Sequence, residues 1–208
     1  MRRIATAAAL WGAALGIGTA AAQPVEPDWP CVQRKVAHLS VGQMWTGPIP
    51  EDMGRWREDP DLAARAAEIA ARRTPLDAAE ALIADVAAAD GRSRAERLTD
   101  LFMGAFTLID RERADIVEGV TRYARKQEAL SERIDARRAE IAALEAETAA
   151  DDYDALDRLD EHRDALAWDV RVFDERRRSL GYVCESPVIL EQRAFALARM
   201  VAAEMEGG

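Results

Sequence analysis

Two histidines and two cysteines are the whole supply of the side chains that most often do chemistry or hold transition metals. His38 and His162 lie far apart in the chain, and no CxxC redox pair, CxxCH haem attachment, zinc-protease helix motif, phosphate loop or nucleophile elbow occurs. Catalysis needs converging groups, so the sequence reads as a non-enzyme without a cofactor. Acids are abundant, but they recur three or four residues apart on helical stretches, the spacing of a solvated ion-pair face.

Positive charge is also short. The sequence carries 38 acidic against 28 basic residues, a net charge of -10, which repels phosphate backbones and anionic headgroups. Nucleic acid and membrane surfaces are thereby excluded as expected partners. Long apolar runs are missing except at the start, where Arg2 and Arg3 precede a stretch from Ile4 to Ala22 and Ala20-Ala21-Ala22 stands before Gln23. Residues 1–22 read as a signal peptide cleaved near Gln23, giving a periplasmic protein. A membrane span takes about 20 apolar residues, and Gly12, Gly16, Gly18 and two threonines make this stretch a poor one, so no stable insertion is expected after cleavage. The paired arginines hint at twin-arginine export, which Ile4-Ala5-Thr6 does not strengthen; no cysteine stands at the cleavage site to take a lipid. Loss of Arg2 and Arg3 makes the exported chain two units more negative.

Export changes the reading of cysteine. Cys31 and Cys184, an even pair far apart, read as a disulfide in an oxidising compartment, the alternative being two separate buried thiols.

Proline and glycine are scarce after residue 59 because they concentrate before it. Residues 23–59 hold five of the eight prolines, Gly42, Gly47 and Gly54, and three of the five tryptophans (Trp29, Trp45, Trp56). Such punctuation predicts an extended segment that needs a platform to bury its rings. The rest predicts helix. Asp59-Pro60 starts one helix with Leu62, Ala66, Ile69 and Ala70 on a face; Thr74-Pro75 starts another with Leu82, Ile83 and Val86, closed by Gly91. Ser93-Arg94-Ala95-Glu96 is a capping box.

From there a 4-3 spacing runs through Phe102, Phe106, Ile109, Arg113, Ile116, Val120, Tyr123, Gln127, Leu130, Ile134, Arg137, Ile141, Leu144 and Thr148. This period generates a left-handed coiled coil. After Ala149-Ala150, the acids Asp151, Asp152 and Asp154 suit a helix N-terminus, and Leu156, Leu159, Arg163, Leu166, Val170, Phe173, Arg177 and Leu180 repeat the spacing. Folding back at residue 150 pairs 144 with 156, 134 with 166 and 120 with 180, every pair of numbers summing to 300. Constant register around one tip is what an intramolecular antiparallel hairpin requires. Two polar layers result: Arg137 facing Arg163, whose heads are expected to reach Glu140, Asp160 or Asp164, and Tyr123 facing Arg177.

Gly181 is expected to stop the descending arm and Ser186-Pro187 to start a last helix with Leu190, Ala194, Leu197 and Val201. The ascending helix would then overshoot its partner by about 40 Å at 1.5 Å per residue. The predicted fold is all-α: a helical base (60–120 plus 181–206), a coiled-coil hairpin (121–180) and the extended segment (23–59).

Functionally, the pattern points to an accessory, scaffold or chaperone-like subunit that binds another envelope protein. The outline resembles in shape the periplasmic helical-hairpin chaperones and adaptors, from which this chain departs in being acidic. Trp168, off the seam, is the expected contact anchor, since exposed tryptophans are enriched at binding hot spots; Trp29, Trp45 and Trp56 are further candidates. The alternative for Trp168 is packing across the hairpin against Ile134 or Arg138. A second reading is a small-ligand or copper carrier using Cys31, His38, Met44 and Met53 with nearby tryptophans, because monovalent copper favours sulfur and imidazole. The acidic tip lacks the glycine and distal glutamate of a calcium loop and reads as capping. One seam can satisfy another chain's, so a homo-oligomer is the alternative to the monomeric hairpin.

Overall fold

The computed structural model describes residues 28–149 and 151–207; the expected signal peptide (1–22) and the start of the expected extended segment lie outside the described residues. Among the described residues four helices follow one another: α1 (Pro60–Ala70), α2 (Leu76–Ala88), α3 (Arg94–Glu147) and α4 (Tyr153–Glu206), preceded by 3-10 turns at Val41–Gln43 and Arg55–Glu58. No strand is present among the described residues. Local chemistry sets most of the boundaries. The Asp59 carboxylate accepts from the amides of Asp61 and Leu62, both at 3.1 Å, with Pro60 at the first helical position. Ser93 and Glu96 form the reciprocal capping box that opens α3. Gly91, at φ 114°, makes the turn before it, a left-handed conformation that glycine adopts without strain.

Two helices of 54 residues each dominate the molecule, each about 80 Å long. They lie antiparallel in the register read from the sequence. Gln127 Nε2 donates to the Phe173 carbonyl at 3.0 Å and Arg113 Nε to the Pro187 carbonyl at 3.3 Å, both pairs summing to 300. Along the upper arm the seam residues Leu130, Ile134, Ile141 and Leu159 are buried, whereas most residues between them face solvent.

The expected stop at Gly181 and restart at Ser186-Pro187 do not occur: α4 runs through both, so the two long helices match in length and nothing overshoots by 40 Å. Gly181 does not take the left-handed conformation of a helix terminator. Proline within a helix removes one hydrogen bond and crowds the preceding turn, a cost of about 3 kcal/mol. Tertiary contacts at the same turn offset it: Pro187 is buried, its carbonyl accepts from Arg113, Cys184 is tied to Cys31, and the Gln33 side chain donates to the Cys184 carbonyl.

The core sits at the base, where α1, α2 and the lower halves of α3 and α4 meet. Leu62, Ile69, Ile83, Leu98, Phe102, Met103, Ile109, Leu190, Leu197 and Val201 fill it. Trp45 stacks on Phe102 with centroids 4.4 Å apart. Gly104 lets α1 and the Trp56 ring approach α3, since a Cβ there would lie 2.8 Å from that of Ala66 and 3.0 Å from the indole. Asp100, 1% exposed, receives a bidentate pair from Arg55 and a further bond from Arg92, tying the Arg55 turn and the α2–α3 connection to α3.

Candidate functional site

The first described part of the segment, residues 28–39, is strapped across the two long helices where the arm meets the base, and the part that follows packs Trp45 and Trp56 into the core. Asp28 accepts from Arg125 at 2.6 Å and from Lys35 at 3.3 Å; Arg125 first and Lys35 second hold its carboxyl below the ordinary aspartate range. Cys31 and Cys184 form the disulfide, with Cα atoms 5.6 Å apart. Arg113, buried on α3, donates to the carbonyls of Val36 and Ala37. Asp110 on the same helix accepts from the Leu39 amide at 2.6 Å and faces His38 Nδ1 at 2.9 Å. Four anchors thus fasten residues 28–39 to the two long helices.

These contacts place the sequence candidates. Trp45 and Trp56 are 4% and 6% exposed, so their rings serve the core and present almost no surface to another protein. Trp29 is half-buried, and its indole N–H donates to the Gln33 carbonyl at 2.6 Å. Met44 and Met53 pack against the core, while the His38 side chain is largely exposed beside Asp110. With Cys31 in a disulfide, a copper site in this segment would lack a thiolate. Among the described residues no group of three or more His, Cys, Asp and Glu side chains converges as a metal site. At the tip Asp152 caps α4 by accepting from the Ala155 amide at 3.0 Å.

The hairpin arm holds a polar arrangement that sequence reading missed. Asp169 is buried beside the seam, taking two bonds from Arg133 at 2.8 and 3.1 Å, with Arg137 Nε 3.6 Å away. The Arg133 bonds lower the Asp169 pKa, against a smaller opposing effect of burial. This answers the apposed arginines at 137 and 163: Arg137 turns to Asp169, and Arg163 bonds Glu145 at 2.6 Å and Asp160 at 3.1 Å. Asp160 is among the expected acids, whereas Glu140 faces His162 Nδ1 at 3.4 Å. One residue away, Trp168 is 62% exposed, with the Arg171 guanidinium 5.9 Å from its ring. The expected alternative of packing across the hairpin would have covered it.

Fold and surfaces together define an all-α protein whose long helical hairpin rises from a compact base and is laced by a disulfide-tied N-terminal strap. No helix among the described residues is long and apolar enough to cross a membrane. Comparison with protein-family models, curated proteins and solved structures returns no match.

Proposed function

We propose that the chain is exported, cleaved near Gln23, and acts in the periplasm as a non-enzymatic scaffold or accessory subunit that holds another envelope protein through its hairpin. The observation that carries this reading is Trp168, a mostly exposed indole on the arm, remote from the core its size would fill. A tryptophan buries about 150–250 Å² on contact, and as a central anchor contributes about 2 kcal/mol or more to binding. The disulfide supports the oxidising compartment. Solvated ion pairs such as Arg138 with Asp135 keep the outer faces charged, which favours reversible docking around an aromatic anchor over burial of a whole apolar stripe.

A photoreactive amino acid placed in cells at position 171, beside the Trp168 ring, with position 118 on the opposite long helix as control, tests this. The reading predicts one discrete cross-linked envelope protein at 171 and none at 118, with its recovery through position 171 falling at least tenfold when Trp168→Ala is added. Equal recovery with and without the indole would remove Trp168 as the anchor.

A further inference from the structure

Arg193 is the one charged side chain in the base that is buried without a carboxylate among the described residues. It is 8% exposed, its Nε donates to the Ile69 carbonyl at 2.8 Å, and its Nη2 is buried with no partner. Ile69 lies in the last turn of α1, so the guanidinium faces the negative end of that helix. A single carbonyl bond leaves most of its five donors unused. Desolvation alone lowers its pKa, which agrees with the absence of a nearby acid, and a guanidinium stays charged at neutral pH. An unpaired buried cation is costly, so what it faces matters.

Arg193 lines a cleft of about 210 Å³ together with Arg72, Gln192 and the half-exposed apolar side chains of Leu76 and Ile189. Ile189 and Gln192 also line a second cleft of about 640 Å³, which continues past Val188, Leu180 and the disulfide to the fully exposed Val32. The two therefore adjoin across Ile189 and Gln192 of α4, the smaller holding Arg193 and Arg72 and the larger lined mainly by apolar side chains, with Arg177 and Glu185 also in its lining. Arg72 is not saturated either, its nearest acid being Glu112 at 3.9 Å.

We propose that these adjoining clefts bind an amphiphilic monocarboxylate, its carboxylate on Arg193 and Arg72 and its hydrocarbon tail across Ile189 toward the disulfide. With Nε on the Ile69 carbonyl and Nη2 closed off from solvent, Nη1 is the Arg193 donor left for the cleft, and the Arg72 guanidinium supplies further charge-assisted donors for a carboxylate. Pockets of this size are typically apolar with a few placed polar groups that fix orientation, which is the arrangement here. The site is separate from Trp168 and stands without the docking reading.

Calorimetric titration of the mature protein with octanoate, octan-1-ol and octylamine tests it. Octanoate is expected to saturate one site, with octanol and octylamine at least tenfold weaker. Arg193→Met should abolish the preference for octanoate over octanol. Should that variant fail to fold, Ile189→Asp carries the test, because the side chain is half-exposed: octanoate binding should fall at least tenfold with an unchanged circular dichroism spectrum. Equal affinity for octanoate and octanol, no saturable binding, or octanoate binding that survives Ile189→Asp would each overturn the proposal.

Discussion

Removing the disulfide, as Cys31→Ala with Cys184→Ala, tests whether the N-terminal strap is part of the cooperative fold. The bond joins residues 153 apart, and closing a loop of that length restricts the denatured chain by about 17 cal/mol/K, or about 5 kcal/mol at 25 °C. That figure is a ceiling, because residual denatured structure lowers it. The native side loses little: Arg113, Asp110 and Arg125 still hold the strap on both flanks of Cys31. The expected loss is therefore about 3–4 kcal/mol, almost all of it from the denatured state. In urea the midpoint should fall and the slope rise, because the freed denatured chain exposes more surface. In heat the midpoint should drop by roughly 10 °C for a chain of this size. Helix content should be unchanged. A loss under about 1 kcal/mol with an unaltered slope would refute the reasoning, since the strap would then be fraying independently of the helices it crosses.

Three further outcomes follow from individual contacts. Gly104→Ala should destabilise by about 1–2 kcal/mol in urea, because overpacking against Ala66 and Trp56 outweighs the gain of about 1 kcal/mol in helix propensity; a net gain would show that α1 can yield. Asp169→Asn should lower stability at pH 7, and the deficit should shrink in acid: the folded pKa is depressed, so the carboxylate's contribution is complete above its unfolded value of about 3.9 and is lost as pH falls through the lower folded value. A deficit as large at pH 2.5 as at pH 7 would contradict this. In a background lacking the native cysteines, Ile134→Cys with Leu166→Cys should oxidise within one chain, and Ile134→Cys with Phe173→Cys should not, as non-reducing gels would show; preferential dimer formation would mean that hairpins pair between chains.

The hairpin was legible because its signal is redundant: the same spacing recurs on both arms and one sum aligns them, so no single residue decides it. Asp59, Ser93 and the cysteine pair were legible because each states a local or covalent constraint. Gly181 and Pro187 misled because they report backbone preferences of about 1–3 kcal/mol, which the Arg113 bond, the disulfide and the burial of Leu190 and Leu197 together outweigh. Trp45 and Trp56 gave a choice between core and contact surface that only the third dimension resolves. Asp100, Asp169 and Arg193 were missed because a charge on a helix reads as solvated unless its partner is known. For Asp169 the register gave only a partial signal: it sets Ser131 opposite Asp169, while Arg133 and Arg137 stand two and six residues farther along α3 and meet it only because their side chains are long.

Shortening the arm tests the central claim most directly. Excising residues 128–172 joins Gln127 to Phe173, which already face each other through a 3.0 Å hydrogen bond, so a short Gly-Ser turn keeps the register while removing Trp168. Reversible in-cell cross-linking followed by isolation of the full and shortened proteins would compare what accompanies each. The account predicts one envelope protein recovered with the full hairpin and lost with the shortened one, at equal expression and helicity per residue. Equal recovery with both would contradict it, and would leave the arm without a part in holding that protein.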